Sequence, residues 1–290
     1  MYMEVAFDPA CMADMEYYCL VKQHFGFEKG RYIAADVKAW AREAMRHVKD
    51  SDLQPIKKQS IKNYLNKLGR SKCNEEFVLT EDRKGLNIEE WNSWWQEQRK
   101  IREFSITISE SNTDGCINVD QINSGCDEWQ IPPSVSVSRT AHDIVKVLLP
   151  LALISEEITI IDQHFRLVGN AVLVEIFNRI ANSSVRKLRI ITAMETANVR
   201  GTYDKNYRSL NALPIRFEWI KAPDKFFHDR YFITNVGAIR SGHGFMADVE
   251  KGSHADLANL NIISRAEALR TLSGLEELFE NGKASQVLSI

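Results

Sequence analysis

The sequence predicts an α/β protein in two parts: a mainly helical first domain over residues 1–110 and, over residues 135–290, a sheet flanked by helices. Three observations carry this. Before residue 101 the apolar residues recur mostly at threes and fours. After Pro133 short β-rich runs alternate with helical ones. Between the two, residues 111–134 are rich in Ser, Asn, Asp and Gly and close on Pro132-Pro133, a composition that predicts a linker.

In the first domain, Met15, Tyr18 and Cys19, then Val37, Trp40, Ala41, Ala44 and Val48, predict two helices punctuated by Gly26 and Gly30. Asp36 stands where the N-cap of the second belongs, and Lys49 suits its carboxyl end. Residues 51–70 predict a third helix, striped by Ile56, Ser60, Ile61, Tyr64, Leu65 and Leu68 and stopped at Gly69. Lys57, Lys58, Lys62 and Lys67 make its other face, with Arg70 and Lys72 just beyond. Such a face can ride on nucleic-acid phosphates, and an ordinary solvated lysine face fits the same pattern. With Phe77-Val78-Leu79 and a turn from Asp82 to Gly85 after it, the arrangement has a winged-helix outline. The run from Ile88 to Ile101 predicts a helix in which Trp91, Trp94 and Trp95 form a packing face, and Phe104 to Ser109 alternates like a strand.

In the second domain, Ala141 to Leu153 reads as an apolar helix and Ile158 to Ile161 as a buried strand ending at Asp162. Asn170 to Ile180 is a helix striped by Val172, Leu173, Ile176, Phe177 and Ile180. Strands follow from Val185 to Thr192 and from Ile215 to Ile220, then a hairpin within 226–245, a strand from Leu260 to Ile263, and a helix from Ala266 to Phe279. Asp162, Gln163, His164 and Arg166 fall at a strand's carboxyl end, where open α/β sheets gather their ligands.

The hairpin carries the densest chemistry. His228, Asp229 and Arg230 stand in a row, Tyr231 to Ile233 run apolar into a turn at Thr234, Asn235 and Gly237, and Ser241-Gly242-His243-Gly244 follows the second arm. Alternation along a strand puts His228 and Arg230 on one face and Asp229 on the other. A guanidinium beside an imidazole makes a workable phosphate site, with fixed donors and a group able to act as acid, base or nucleophile near neutral pH. A surface strand whose polar residues only bond nearby turns fits as well.

Composition narrows the classes. Basic and acidic residues nearly balance, 37 against 39, so any nucleic-acid surface has to be a local patch. The five cysteines, Cys11, Cys19, Cys73, Cys116 and Cys126, form no CxxC and are odd in number, which argues against a structural metal or a disulfide framework and for a reducing cytoplasm. The amino-terminal stretch has acids where a signal peptide needs a basic start. The most apolar run, Ile144 to Ile154, is interrupted by Lys146 and Pro150 and is too short to span a bilayer.

On these motifs the segment 155–280 resembles a phospholipase D-like domain. That family's signature is H-x-K, four residues, then D and a small-residue pair; here His228, Arg230, Asn235 and Gly242-His243 fill those places. The stretch ITIIDQHFRLVGNAVLVEIFNRI, then RKLRIIT, then HDRYFITNVGAIRSGHGF, is more closely similar to the phospholipase D-like module at the carboxyl end of MIT-domain proteins. The resemblance implies a phospholipase D-like sheet and leaves three readings. One is a phosphodiesterase, a nuclease free of metal and cofactor, with His228 as nucleophile, Arg230, Arg166 and His164 on phosphate oxygens, Asn235 in the aspartate position, and His243 or a second copy's His228 as acid. With one motif per chain, that reading implies a homodimer. Another is a module that holds a phosphate of nucleic acid or of a lipid headgroup without cleaving it, the role generally given to the MIT-linked module. The last is a scaffold in which Asp229 pairs with a neighbouring base. A two-domain chain of this kind is compatible with a nuclease or sensor subunit of a bacterial defence system acting beside an ATPase.

Overall fold

The structure, a computed structural model, describes residues 1–71, 75–83, 88–110, 115–211, 215–226, 228–247 and 257–290. It divides into two compact units, Tyr2–Ile131 and Pro132–Ile290.

The first unit is built on a four-stranded sheet in the order β3-β2-β1-β4. Its strands are β1 (Met3–Phe7), β2 (Arg31–Ala34), β3 (Phe77–Val78) and β4 (Ile106–Ile108), and every pairing is parallel. The helices α1 (Met15–His24), α2 (Val37–Asp50), α3 (Pro55–Arg70) and α4 (Trp91–Ile101) make the crossovers that parallel strands require. As expected, Asp36 caps α2, its carboxylate accepting from the amide of Ala39 at 2.8 Å. Phe7 of β1 anchors the core through edge-on contacts with Tyr17, Phe25 and Trp40, and the Trp40 indole N–H donates to the Phe7 carbonyl at 2.7 Å. Glu4, buried within β1, is matched by Arg83, which is almost wholly buried, and by Arg102, at 2.8 and 2.9 Å.

Three expectations for this region are corrected. A mainly helical domain leaves out the central sheet: β1 and β2 are short and covered on both faces, so they show no alternation to read. Among the described residues no winged helix forms, because Phe77–Val78 is an edge strand paired parallel to Ile33 and Ala34. The nearby Glu81–Arg83 turn sends Arg83 into the core, and the rest of the expected wing lies outside the described residues. Nor is 111–134 a linker. Its described part from 115 to 131 belongs to the first unit: Ile117 bridges Ile108, α5 (Val119–Asn123) starts on a capping box of Asn118 and Gln121, and Ile117, Ile122 and Trp129 are buried. The Arg31 guanidinium lies 3.9 Å from the Trp129 ring. The polar composition serves caps and turns, while three apolar side chains attach the segment.

The second unit holds an eight-stranded mixed sheet in the order β12-β8-β7-β6-β9-β10-β11-β5. Strand β5 (Ser134–Ser138) begins within the expected linker and forms one edge. In chain order there follow α6 (Ala141–Leu153), β6 (Glu157–Ile161), α7 (Ala171–Ile180), β7 (Lys187–Thr192), α8 (Val199–Asn206) and β8 (Arg216–Lys221). Then come β9 (Arg230–Thr234), β10 (Ala238–Ser241), β11 (Leu257–Ile262), α9 (Arg265–Glu280) and β12 (Ser285–Ser289). Strands β6, β7 and β8 are parallel; β9, β10, β11 and β5 continue as an antiparallel meander. Phe177 of α7 packs with Tyr203 of α8 and Phe217 of β8 on one face. Cross-strand register carries that face through Ile190, Ile160 and Phe232 to Arg230. Helix α9 covers part of the other face, where Arg240 bonds Glu267 at 3.1 Å. Among the described residues no helix is long and apolar enough to cross a membrane, and Cys11, Cys19, Cys116 and Cys126 are free thiols.

Candidate functional site

Strand β6 ends where its apolar run meets Asp162, and β9 starts antiparallel beside it, with Ile161 opposite Tyr231. One step further along this register, Asp162 and Arg230 come level on the face covered by α7 and α8. Asp162 is 1% exposed, and both its oxygens accept backbone bonds. Oδ1 takes the amide of His164 at 2.9 Å, and Oδ2 the amide of Phe245 at 2.7 Å. Burial pushes its carboxyl up from the ordinary range, against the pull of those amides and of the Arg230 charge.

Asp162 thus ties the loop after β6 to the loop after β10. The second loop must pass close to the carboxylate: Gly244 sits at φ +85°, and a Cβ there would meet Asp162 Oδ2 at 2.5 Å. The Ser241 hydroxyl donates to the Gly244 carbonyl at 2.9 Å and closes the same turn. The sequence singled out Gly244 only as a flank of His243. Its need for a left-handed conformation against a buried acid is a tertiary property, and Ser241-Gly-x-Gly was its one visible trace.

Around this tie stand most of the expected site residues. Arg230 donates from Nη1 to the Gly242 carbonyl at 3.1 Å, and its Nε has no partner among the described residues. One of the five guanidinium N–H groups is therefore committed. His228 is exposed and lies in the bend before β9, so it does not share a strand face with Arg230 as alternation predicts. Pairing of β9 with β10 ends at Arg230 and Ser241; His228 precedes the first arm and His243, also exposed, follows the second, so both belong to the open end of the hairpin. His164 is exposed, with its Nε2 3.0 Å from the Gln163 amide nitrogen, and Arg166 is exposed in the same loop ahead of α7.

Asp229 takes the opposite side. Its carboxylate lies 3.9 Å from Arg240, which also bonds Glu267 of α9, an arrangement that joins the hairpin to α9.

Two sets of expected residues are displaced from a working site. Asn235 occupies the turn at the far end of β9, where its Oδ1 accepts the amide of Glu156 at 3.0 Å; the length of β9 separates it from His228 and Arg230. The family's spacing had placed it near the histidine, but here the strand carries it to the opposite end of the sheet. The lysines of α3 form no single face either. Lys58 is committed to the carbonyls of Lys49 and Ser51 at 2.9 and 2.6 Å, closing the end of α2. Lys67, nine residues on, projects to the other side of the helix, about 180° away. Lys57 and Lys67 are exposed and Lys62 is half-buried.

No protein-family model matches the chain, and no curated protein matches it. Among solved structures, TrmBL2, an archaeal chromatin protein with a novel mode of DNA binding, aligns over 93% of this chain and 92% of its own at 11% identity, with a TM-score of 0.31. A TM-score that low carries neither fold nor function across.

Proposed function

We propose that the second unit is a phospholipase D-like module that holds a phosphate group at the carboxyl end of its parallel strands without cleaving it. The observation behind this reading is Arg230: a guanidinium steadied by Gly242, with most of its donors uncommitted, at the sheet end where the exposed His164, His228 and His243 gather. Planar guanidinium donors match phosphate oxygens, and imidazoles add hydrogen bonds or charge. Catalysis asks for more. A nucleophilic histidine needs a group that orients it, and among the described residues no carboxylate bonds His228 or His243. Asp162 spends both oxygens on the backbone, and Asn235 is at the opposite end of β9.

A second reading, a metal-independent phosphodiesterase or nuclease, draws on His228 and His243 lying just beyond the same open end of the hairpin, which offers one chain two imidazoles for attack and protonation. Titration with inorganic phosphate, a short oligonucleotide and a soluble lipid headgroup tests the binding reading and identifies the source of the phosphate. Arg230→Ala should abolish saturable binding and Arg230→Lys should weaken it. Retained affinity in both variants overturns the assignment. Cleavage of an oligonucleotide in EDTA that disappears in His228→Ala would establish the second reading in its place.

A further inference from the structure

We infer that the groove between α2 and α3 of the first unit binds the sugar-phosphate backbone of a nucleic acid. The groove has a volume of about 590 Å³, and its rim carries Lys38, Arg42, Arg46 and Lys49 from α2 and Arg70 from α3, against a single acid, Asp50. The α2 cations follow at steps of four, four and three, so they share one face of the helix, turned away from the buried Trp40, Ala44 and Val48. Each four-residue step rises about 6 Å, and the row extends about 16 Å. Charges so regularly spaced suit a polymer of regularly spaced anions.

These side chains are exposed, and among the described residues Lys38, Arg42, Lys49 and Arg70 enter no ion pair; Arg46 is bonded to Glu43. Protein surfaces ordinarily intersperse the two signs. Here five cations face one acid in a chain whose acids outnumber its bases, 39 to 37, so the excess is local. Ala41, Met45 and Leu65 lie between the charges, and a low-dielectric floor strengthens the field above it. A bilayer surface is flat and reaches a concave row poorly, whereas a strand of nucleic acid can lie along it. The guanidinium groups of Arg42, Arg46 and Arg70 add paired donors for phosphate oxygens.

The test uses the full chain and fluorescence anisotropy of a labelled oligonucleotide of about 20 nucleotides, single-stranded and duplex, between about 50 and 200 mM salt. Binding should weaken with salt along a log–log slope of about −3 to −3.5 for the single strand and about −3.5 to −4.5 for the duplex, as expected for four or five phosphate contacts. Arg42→Gln with Lys49→Gln, neither in an ion pair among the described residues, should weaken binding about tenfold or more and flatten the slope by about 1.5, with the melting curve unchanged. Lys57→Gln with Lys67→Gln, outside the groove, should leave both within about twofold. The inference is overturned by an absence of salt-dependent binding, by equal losses in the two double variants, or by poly-glutamate or phosphatidylserine vesicles displacing the oligonucleotide from wild-type protein at lower charge concentration than unlabelled oligonucleotide does.

Discussion

The two units place their polar chemistry differently around parallel strands. In the first, the strands are short and covered on both faces, and the charges that enter the sheet are spent within the unit, Glu4 on Arg83 and Arg102 and Arg31 on Trp129. Free charge remains on the helix exteriors, above all on α2. In the second, the sheet is mixed and longer, and its parallel strands end in loops that an antiparallel neighbour brings level, so that Asp162 and Arg230 meet at the sheet end. A fully covered sheet leaves its helices to meet ligands, whereas a parallel strand beside an antiparallel one gathers side chains from distant parts of the chain at one edge.

The strongest test of the contrast is Trp129→Ala. If 115–131 is integral to the first unit, removing a 5% exposed indole and the surface on which Arg31 stacks should cost about 3–5 kcal/mol in chemical denaturation. A cost near zero would return the segment to the status of a linker. Tryptophan fluorescence is suited to this, since Trp40, Trp91, Trp94, Trp95 and Trp129 lie in the first unit and only Trp219 in the second.

Gly244→Ala should come next. It adds a methyl group against Asp162 and forces a side chain into a left-handed conformation, with an expected cost of about 2–3 kcal/mol and loss of phosphate binding at Arg230. Unchanged stability and affinity would show that the loop does not depend on this approach.

Glu218 provides a pH test on the other face of the second sheet. Burial pushes its carboxyl up, but Arg189, Lys187 and Arg216 more than offset this and hold it below the ordinary range. A depressed carboxyl stabilises the fold above its unfolded value, and that stability is lost as pH falls through the folded one. Glu218→Gln should therefore cost about 1–2 kcal/mol at neutral pH and progressively less below pH about 4. A constant cost across that window would contradict the ion-pair account.

The smallest effect belongs to Lys58. Because its ammonium closes the carboxyl end of α2, Lys58→Ala should lower stability by about 0.5–1 kcal/mol while leaving oligonucleotide affinity within about twofold. A large fall in affinity without a change in stability would restore it to the nucleic-acid surface.

Helices were legible because their signals are local. The period of α2 and α7 and the cap at Asp36 are set by residues within a few positions of one another. So were β6, β7 and β8, each a short apolar run between turn signals. Strands β1, β2, β5 and β12 were not, since β1 and β2 are covered on both faces and β5 and β12 lie at the edges in polar stretches. Of the candidate site, the sequence marked Asp162, His164, His228, Arg230 and His243 by type and position, and strand register brought their segments to one end of the sheet.

By itself the chain determined which segments coil, which extend and where imidazoles and guanidiniums cluster, because propensity, capping and periodicity act between near neighbours. Only the tertiary structure decided that 115–131 packs into the first core, that Asn235 is held at the opposite end of the sheet from His228, and that Gly244 must lack a side chain. Each depends on residues far apart in sequence meeting in space: Trp129 with Arg31, Asn235 with Glu156, and Gly244 with Asp162.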